Sequence, residues 1–308
     1  MVNYDFCLPW NWEHDADFII LVDIACRAQG LSLLQVTPDN LVDILQSLQN
    51  NQLNFRSFFD RASDADARFI PIVQWAAEHG VYCINPRERA SRTWNKATMH
   101  LVFAQAGLET PYTVILPSYE EQPMVAPMDI GPLGEGFIIK PAHGGGGEGV
   151  VMKATSWSQV LVARQEYPAD RYLLQACMVP AELGSRVAWF RLIYCAGQLY
   201  PCWWDTSTHI YTPVTLREES NYHLTALREI TASIAGLCGL DLFSTEVALT
   251  LDGLFVVVDY VNDQIDLRLQ SKAFDGVPDE IVRDITERLV SLAAAHCLSQ
   301  PKGKDTFL

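Results

Sequence analysis

The stretch "GFIIKPAHGGGGEGVVM", Gly136 to Met152, decides how this chain is read. A short apolar run ends in Lys140, four consecutive glycines follow, and apolar residues resume after Gly149. Both flanks have the short, β-branched character of strands. Gly144, Gly146 and Gly149 satisfy G-x-G-x-x-G in form, but a dinucleotide site needs a helix after the glycines. Here "VVMKAT" follows, and the next helix cap comes only at Ser156. A P-loop would end in Gly-Lys-Ser/Thr, whereas this loop ends in Glu148-Gly149-Val150. What remains is a glycine-rich hairpin. Its amides can approach a ligand closely because no Cβ intervenes, and successive N–H groups form an anion-binding concavity. Lys140 places a point charge beside it. Gly144–Gly149 contains six residues, five of them glycine. A hairpin turn needs only two, so a phosphate cradle is expected over a plain flexible turn.

A second stretch, "STEVALTLDGLFVVVDYVND" (Ser244–Asp263), reads as a hairpin about Asp252-Gly253. With a two-residue loop, Leu251 faces Leu254 and Glu246 stands directly opposite Asp259. Ala248, Val257, Thr250 and Phe255 share their face. Directly opposed like charges destabilise a sheet. Either one carboxyl is protonated or paired with a base, or both bind a divalent cation, as proteins usually hold Mg²⁺ beside substrate phosphates. Asn262 and Asp263 lie just beyond. In a regular strand Asn262 faces away from Asp259, and only a bulge or the strand's end brings it back. Together, a glycine flap with lysine and an opposed acidic pair read as an ATP–Mg²⁺ site built on sheets.

The 308 residues suffice for two domains or one large one, with 49% apolar and 19% charged residues. No apolar run approaches the ~18 residues of a transmembrane helix. The start, "MVNYDFCLPWNWEHD", has no basic region and carries acids early, so it is not expected to be a signal peptide. A formal net charge of −15 disfavours nucleic-acid and anionic-membrane partners. The eight cysteines form no C-x-x-C pair and sit mostly in apolar runs. They are expected to be buried reduced thiols, which fits a cytoplasmic protein.

Along the first 88 residues strands alternate with helices, which argues for a parallel, doubly wound sheet. Pro71 should kink the third helix or mark its start. Residues 89–107 read as one helix with a glycine stop. Residues 118–136 form a Pro- and Gly-rich connection. Strand-like segments then dominate 186–204, and "DEIVRDITERLVSLAAAHC" closes the chain as a helix. The segment Trp203–Asn221, with Asp205, His209 and Arg217, reads as a surface or substrate-side loop. Trp203 and Trp204 read as packing residues.

Residues 85–265 resemble, in order, the ATP-grasp superfamily, whose members include D-alanine–D-alanine ligase and glutathione synthetase. "NPRERASRTWNKATMHLVFAQAGLETPYTVIL" is similar to the segment that carries the family's first ATP lysine, here Lys96. "FIIKPAHGGGGEGV" matches the second lysine, Lys140, and the phosphate-covering loop of Gly144, Gly145, Gly146, Gly147 and Glu148. "RYLLQACMVPAEL" looks like the adenine-holding strand. The resemblance implies Gln175 for the adenine amino group, where the family usually has Glu. It implies the Met178 backbone for the ring and Glu182 for the ribose. It further implies Arg191 facing phosphate and substrate, Glu246, Asp259 and Asn262 on the metal, and Arg268 on a substrate carboxylate. The family usually reads Glu-x-Asn where this chain has Asp259-Tyr-Val-Asn262. His143 would lie near the γ-phosphate or in solvent.

The resemblance implies an α/β fold: a Rossmann-like domain over 1–88, then an ATP-grasp module over 89–308. Within the module, about 110–180 is a lid and 181–308 the catalytic part. It implies an ATP- and Mg²⁺-dependent ligase, with Mn²⁺ as a possible substitute, joining a small-molecule carboxylate to an amine. The alternatives are a small-molecule kinase of the same fold and a non-catalytic nucleotide-binding regulator. A homodimer is left open.

Overall fold

The computed structural model describes residues 1–299. The first domain alternates β1 (Val2–Pro9), α1 (Ala16–Ala28), β2 (Leu33–Val36), α2 (Leu41–Gln49), β3 (Leu53–Phe59), α3 (Ile70–Glu78) and β4 (Tyr82–Ile84). Its strands form a parallel sheet in the order β2-β1-β3-β4. Pro71 sits in the first turn of α3 and starts the helix, where its missing N–H costs nothing.

Residues 89–107, expected as one helix, form two: α4 (Arg87–Thr93) and α5 (Lys96–Gln105). The break comes at Asn95, whose side chain accepts from the Thr98 N–H at 2.8 Å and caps a new helix. Lys96 is thereby the first residue of α5. Next come β5 (Thr113–Leu116), β6 (Phe137–Pro141), β7 (Val151–Ala154), α6 (Trp157–Ala163) and β8 (Tyr172–Ala176). These strands make an antiparallel sheet in the order β5-β8-β6-β7, with the glycine loop joining β6 to β7.

The last part opens with the short pair β9 (Glu182–Leu183) and β10 (Arg186–Val187). It continues through β11 (Trp189–Cys195), β12 (Gln198–Trp204), β13 (Tyr211–Pro213), α7 (Leu216–Asn221), α8 (Ala226–Cys238), β14 (Leu242–Leu249), β15 (Phe255–Asn262) and α9 (Asp279–Ser299). Its sheet runs β13-β12-β11-β14-β15. One face packs Phe190, Leu192, Phe243 and Val247 with α5 and α8. The other face presents Ile193 and Cys195 to a core shared with α1, α9 and the β1 residues Phe6 and Leu8. Alternation along β11 thus feeds two cores. Helix α9 joins both domains, since Ile285 and Leu289 pack in the same cluster as Phe18 and Val22.

Five of the cysteines are buried and Cys83 and Cys238 are partly so, but Cys177 is exposed. It follows the last residue of β8, where the chain leaves the sheet, and so departs from the expected burial. All eight are free thiols. Among the described residues no helix is long and apolar enough to cross a membrane.

A buried ion pair lies within the N-terminal part, and its arginine also reaches the later part of the chain. Arg61 Nη2 lies 2.6 Å from Asp15 Oδ1, and Arg61 Nη1 donates to the Ile265 carbonyl at 2.7 Å. Both side chains are under 5% exposed. Removing one partner of a buried pair strands the other charge and costs roughly 3–5 kcal/mol. Asp15→Asn should therefore lose about 3 kcal/mol or more in urea denaturation. A loss below about 1 kcal/mol, the ordinary effect of a point substitution, would contradict this account.

Candidate nucleotide and metal site

The acidic hairpin is built with a different loop from the one its sequence suggests. Thr250 N–H donates to the Leu254 carbonyl at 2.9 Å, and Gly253 has φ +84°. The loop is therefore the three residues Leu251–Gly253, with glycine in the left-handed position that such loops use. Pairing starts one residue out of the expected register: Leu249 faces Phe255, Ala248 faces Val256 and Val247 faces Val257. Val258 is then an extra residue, and beyond it Glu246 faces Asp259 as expected. A second extra residue separates that pair from Ser244–Asn262. Both are β-bulges on β15. The first corrects the turn. The second returns Asn262 to the face of Asp259, and Asn262 Nδ2 donates to Asp259 Oδ2 at 3.0 Å. The three-residue spacing is thus made equivalent in space to a two-residue one. Thr245 Oγ1 donates to the carbonyl of Asp259 at 2.7 Å, holding the bulged backbone.

Arg191 on β11 faces Glu246 on β14, which faces Asp259 on β15. Three charges therefore stand in a row across adjacent strands. Arg191 ion-pairs with Glu246 Oε1, and its Nε donates to Ser244 Oγ at 3.2 Å. Trp189 Nε1 donates to Glu246 Oε2 at 2.9 Å. Burial works to lower the pKa of Arg191, but Glu246, Tyr211 and Asp259 outweigh it and hold it above its ordinary value. Burial works to raise the pKa of Asp259. Lys140, Arg191, the Asn262 hydrogen bond and Lys96 overcome that, so its carboxyl stays below the usual range and ionised.

Lys140 closes the row from the other sheet. It sits on β6 opposite Leu173 of β8, is 8% exposed, and places Nζ 5.3 Å from the centre of the Tyr260 ring. Burial lowers its pKa, Asp259 pulls it back up, Lys96 repels it and Glu246 attracts it. Lys96 is lowered by burial too, against the pull of Asp259 and Asp170. Three cations and two carboxylates thus converge, and the adjoining cavity wall adds Arg87, Asp64, Asp263 and Asp266.

The glycine flap is anchored at its base. Lys96 N–H donates to the Ala142 carbonyl at 2.7 Å, and its ammonium donates to the Gly144 carbonyl. His143, read as near a γ-phosphate or in solvent, is tied to Asp170 through its N–H at 2.8 Å and Nδ1 at 2.9 Å. Gly144, Gly146, Gly147 and Gly149 all have positive φ. Gly144, Gly145 and Gly146 line a cavity of about 590 Å³ with Lys96, Arg191, Asp259 and Asn262. Gly147 and Glu148 complete the exposed flap. Lys140 and Glu246 stand behind that wall, beside Tyr260 and Arg191, and the remaining sequence candidates also lie outside it. Gln175 is fully buried on β8, Met178 is half-buried just past it, and Glu182 is exposed on β9. Arg268 is held by Asp266 at 2.6 Å and Asp275 at 3.0 Å, with Trp12 beside it, and does not line the cavity.

Two observations test whether these residues fit a nucleotide and a metal. Gln175 Oε1 is buried and has no hydrogen-bond partner among protein groups, while its Nε2 has two. An unpaired buried acceptor costs about 1–3 kcal/mol, and an amino group on a ligand would satisfy it. Among the described residues, no group of three or more His, Cys, Asp or Glu side chains gathers as metal ligands. Glu246, Asp259 and Asn262 instead bring two carboxylates and an amide together on β14 and β15, a sparse oxygen set that would fit an ion completed by phosphates and water. Sequence reading missed Trp189 and Tyr260. An indole beside an acid one strand away is visible only once the register is known.

No protein-family model matches the chain, and no curated protein matches it by sequence. Solved structures match it over nearly its whole length. A D-alanine–D-alanine ligase from Bacillus anthracis, complexed with ATP, aligns with a TM-score of 0.65 at 10% identity, covering 97% of this chain and 98% of that one. A RimK-domain ATP-grasp protein from Sphaerobacter thermophilus gives 0.63 at 17%, covering 94% and 99%. The ATP-grasp ligase PsnB, complexed with a minimal precursor, Mg and ADP, gives 0.62 at 14%, covering 96% and 99%. The chain has the ATP-grasp fold, with the parallel first sheet and the two antiparallel sheets described above.

The flap yields a prediction independent of chemistry. A Cβ at Gly146 meets nothing within 4 Å, whereas at Gly149 it would lie 2.5 Å from Tyr167 Cε2. Gly146→Ala should cost about 1 kcal/mol, the usual penalty of a left-handed non-glycine residue. Gly149→Ala should cost clearly more, read by thermal denaturation of the two variants side by side. Equal losses would contradict the close approach of Tyr167.

Proposed function

We propose that the protein is an ATP- and Mg²⁺-dependent ligase that joins a carboxylate to an amine through an acylphosphate. The observation that carries this reading is the convergence, from two sheets, of Lys96, Lys140 and the glycine flap on one side with Arg191, Glu246, Asp259 and Asn262 on the other.

Gln175 Oε1 accepts from the adenine amino group, the Met178 N–H serves the ring and Glu182 holds the ribose. Lys96 and Lys140 neutralise the phosphates, and the amides of Gly144–Gly147 and Glu148 cover them. Glu246, Asp259 and Asn262 would hold Mg²⁺, which would offset the charge of the phosphates. Mn²⁺ has the same ligand preference and would substitute. Arg191 stands beside the metal acids, where the transferring phosphoryl group and the substrate carboxylate meet. A substrate carboxylate oxygen attacks the γ-phosphorus and ADP leaves. The amine then adds to the acyl carbon and phosphate departs. Closing the flap keeps water from the acylphosphate.

Arg268 would bind a substrate carboxylate only by exchanging one of its two aspartates, so its part is secondary. The kinase reading drew on the unusual Asp-x-x-Asn spacing, and the second bulge on β15 removes that reason. The chain gives no name to the acid or the amine. PsnB was solved with a precursor peptide and the D-alanine–D-alanine ligase with ATP, so both small carboxylates and peptides belong in the search.

A screen of amino acids, small carboxylates and peptides should find pairs that release ADP and free phosphate with a new amide. A stable phosphorylated product without free phosphate would favour the kinase. Lys140→Ala and Asp259→Asn should each lower turnover by about 10²-fold or more, the scale of losing one group that stabilises developing charge. Unchanged turnover in either variant would overturn the site.

A further inference from the structure

The cleft does not end at Asp259 and Asn262. A second cavity of about 560 Å³ lies behind it, and the two share Ser63, Asp64, Arg87, Trp94, Asp263 and Gln264 as a common wall. Phe58, Val73, Val81 and Ala90 give the rear cavity an apolar lining. Arg87 is the distinctive member of the shared wall. A guanidinium has five N–H donors, and half-buried Arg87 spends one, from Nη1, on Ser63 Oγ at 2.9 Å. Ser63 in turn donates to Asp60 Oδ2, and Asp60 Oδ1 accepts from the Ala62 and Ser63 N–H groups at 3.1 and 3.0 Å. The guanidinium also lies 5.3 Å from the centre of the Trp94 ring. It is therefore aimed, yet among the described residues no carboxylate lies within ion-pair distance of it. The other arginine of the cleft wall, Arg191, is committed to Glu246, and Arg268 is held by two aspartates. A guanidinium with free donors matches a planar carboxylate.

The rest of the rear wall is acidic. Asp60, Asp64, Asp241 and Asp263 stand there with Glu88, against Arg89 and His296. Arg92 offsets Glu88, and Arg89 is turned to the Gly239 carbonyl. A second carboxylate on a ligand would meet those aspartates, whereas a neutral or cationic body would not be repelled. We infer that Arg87 binds the carboxylate of the acid substrate at the junction of the two cavities, with the body of the acid in the rear cavity, and that this acid is a monocarboxylate with a neutral or cationic body rather than a dicarboxylate. The inference rests on the ligase reading above and adds where the acid lies and of what class it is. The carboxylate end is then on the side of Lys96 and the flap glycines, and the body is on the far side.

The test uses pentanoate, 5-aminopentanoate and glutarate, chains of equal length that end in methyl, ammonium and carboxylate. Their binding to the full chain is titrated by ligand-observed NMR, with and without a non-hydrolysable Mg-ATP analogue. Pentanoate and 5-aminopentanoate should bind, and glutarate should bind about five-fold more weakly or worse. Arg87→Gln should weaken the first two about ten-fold or more, the scale of a lost charge-assisted pair. Its affinity for Mg-ATP, read by calorimetry, should be unchanged, and Arg268→Gln should leave the probes unaffected. Ala77→Trp, at an exposed position of α3 that lines the rear cavity alone, should block the probes and spare Mg-ATP. Should circular dichroism show Arg87→Gln unfolded, Arg87→Lys, which keeps the charge and loses the fork, must weaken the probes in the same direction. Glutarate bound as tightly as pentanoate, no probe bound by wild type, or probe binding that survives Arg87→Gln overturns the inference. So does loss of Mg-ATP affinity in Arg87→Gln, which would assign the arginine to phosphate. Each of these leaves the ligase reading standing. Failure of wild type to bind Mg-ATP overturns the ligase reading instead.

Discussion

Lys140 and Asp259 can both stay charged out of water only because each lies in the other's field. Lys140 hangs from the four-stranded sheet of β5–β8 and Asp259 from the five-stranded sheet, so their attraction acts between sheets rather than within one element. Arg191 and Glu246 extend the same balance along the row on β11 and β14. Every other site feature depends on this. The lid must place β6 over β15, α5 must start at Lys96, and the glycine flap must close over the same point. A buried charge without such a partner costs several kcal/mol, a large share of the fold's net stability, or is lost by neutralisation.

The bulges on β15 show how a backbone serves that arrangement. A hairpin of uniform register from its three-residue turn would slip Asp259 off Glu246. One extra residue at Val258 restores the pair, and another returns Asn262 to the same face. Backbone irregularities thus set side-chain geometry that alternation alone would deny. Thr245 repays part of the lost ladder by donating to the Asp259 carbonyl.

Much of this was legible in the sequence where local chemistry is strong. The glycine run with its lysine and the strand–helix alternation of the N-terminal part follow from residue type and period, whereas the facing of Glu246 with Asp259, expected from a two-residue turn, is reached through a longer turn and a compensating bulge. What was not legible depends on contacts distant in sequence. The helix break at Asn95 looked like continuous helix because a mid-helix asparagine is common enough until its side chain is seen to cap. The turn at Asp252-Gly253 carried a two-residue signal yet took a third residue. Trp189 and Tyr260 carried no signal of their own in the sequence, and only register revealed their polar ends against Glu246 and Gln175. Cys177 read as buried by analogy with its apolar neighbours, but the chain leaves the sheet one residue earlier.

The central claim is that one cleft holds nucleotide and metal together, between Lys140 on the lid and the acids of β14 and β15. Mn²⁺ uptake, followed by electron paramagnetic resonance with and without a non-hydrolysable ATP analogue, tests it most directly. The account predicts tight Mn²⁺ binding that requires the nucleotide and is lost in Glu246→Gln. Mn²⁺ binding of equal strength without nucleotide, or unchanged in Glu246→Gln, would contradict it.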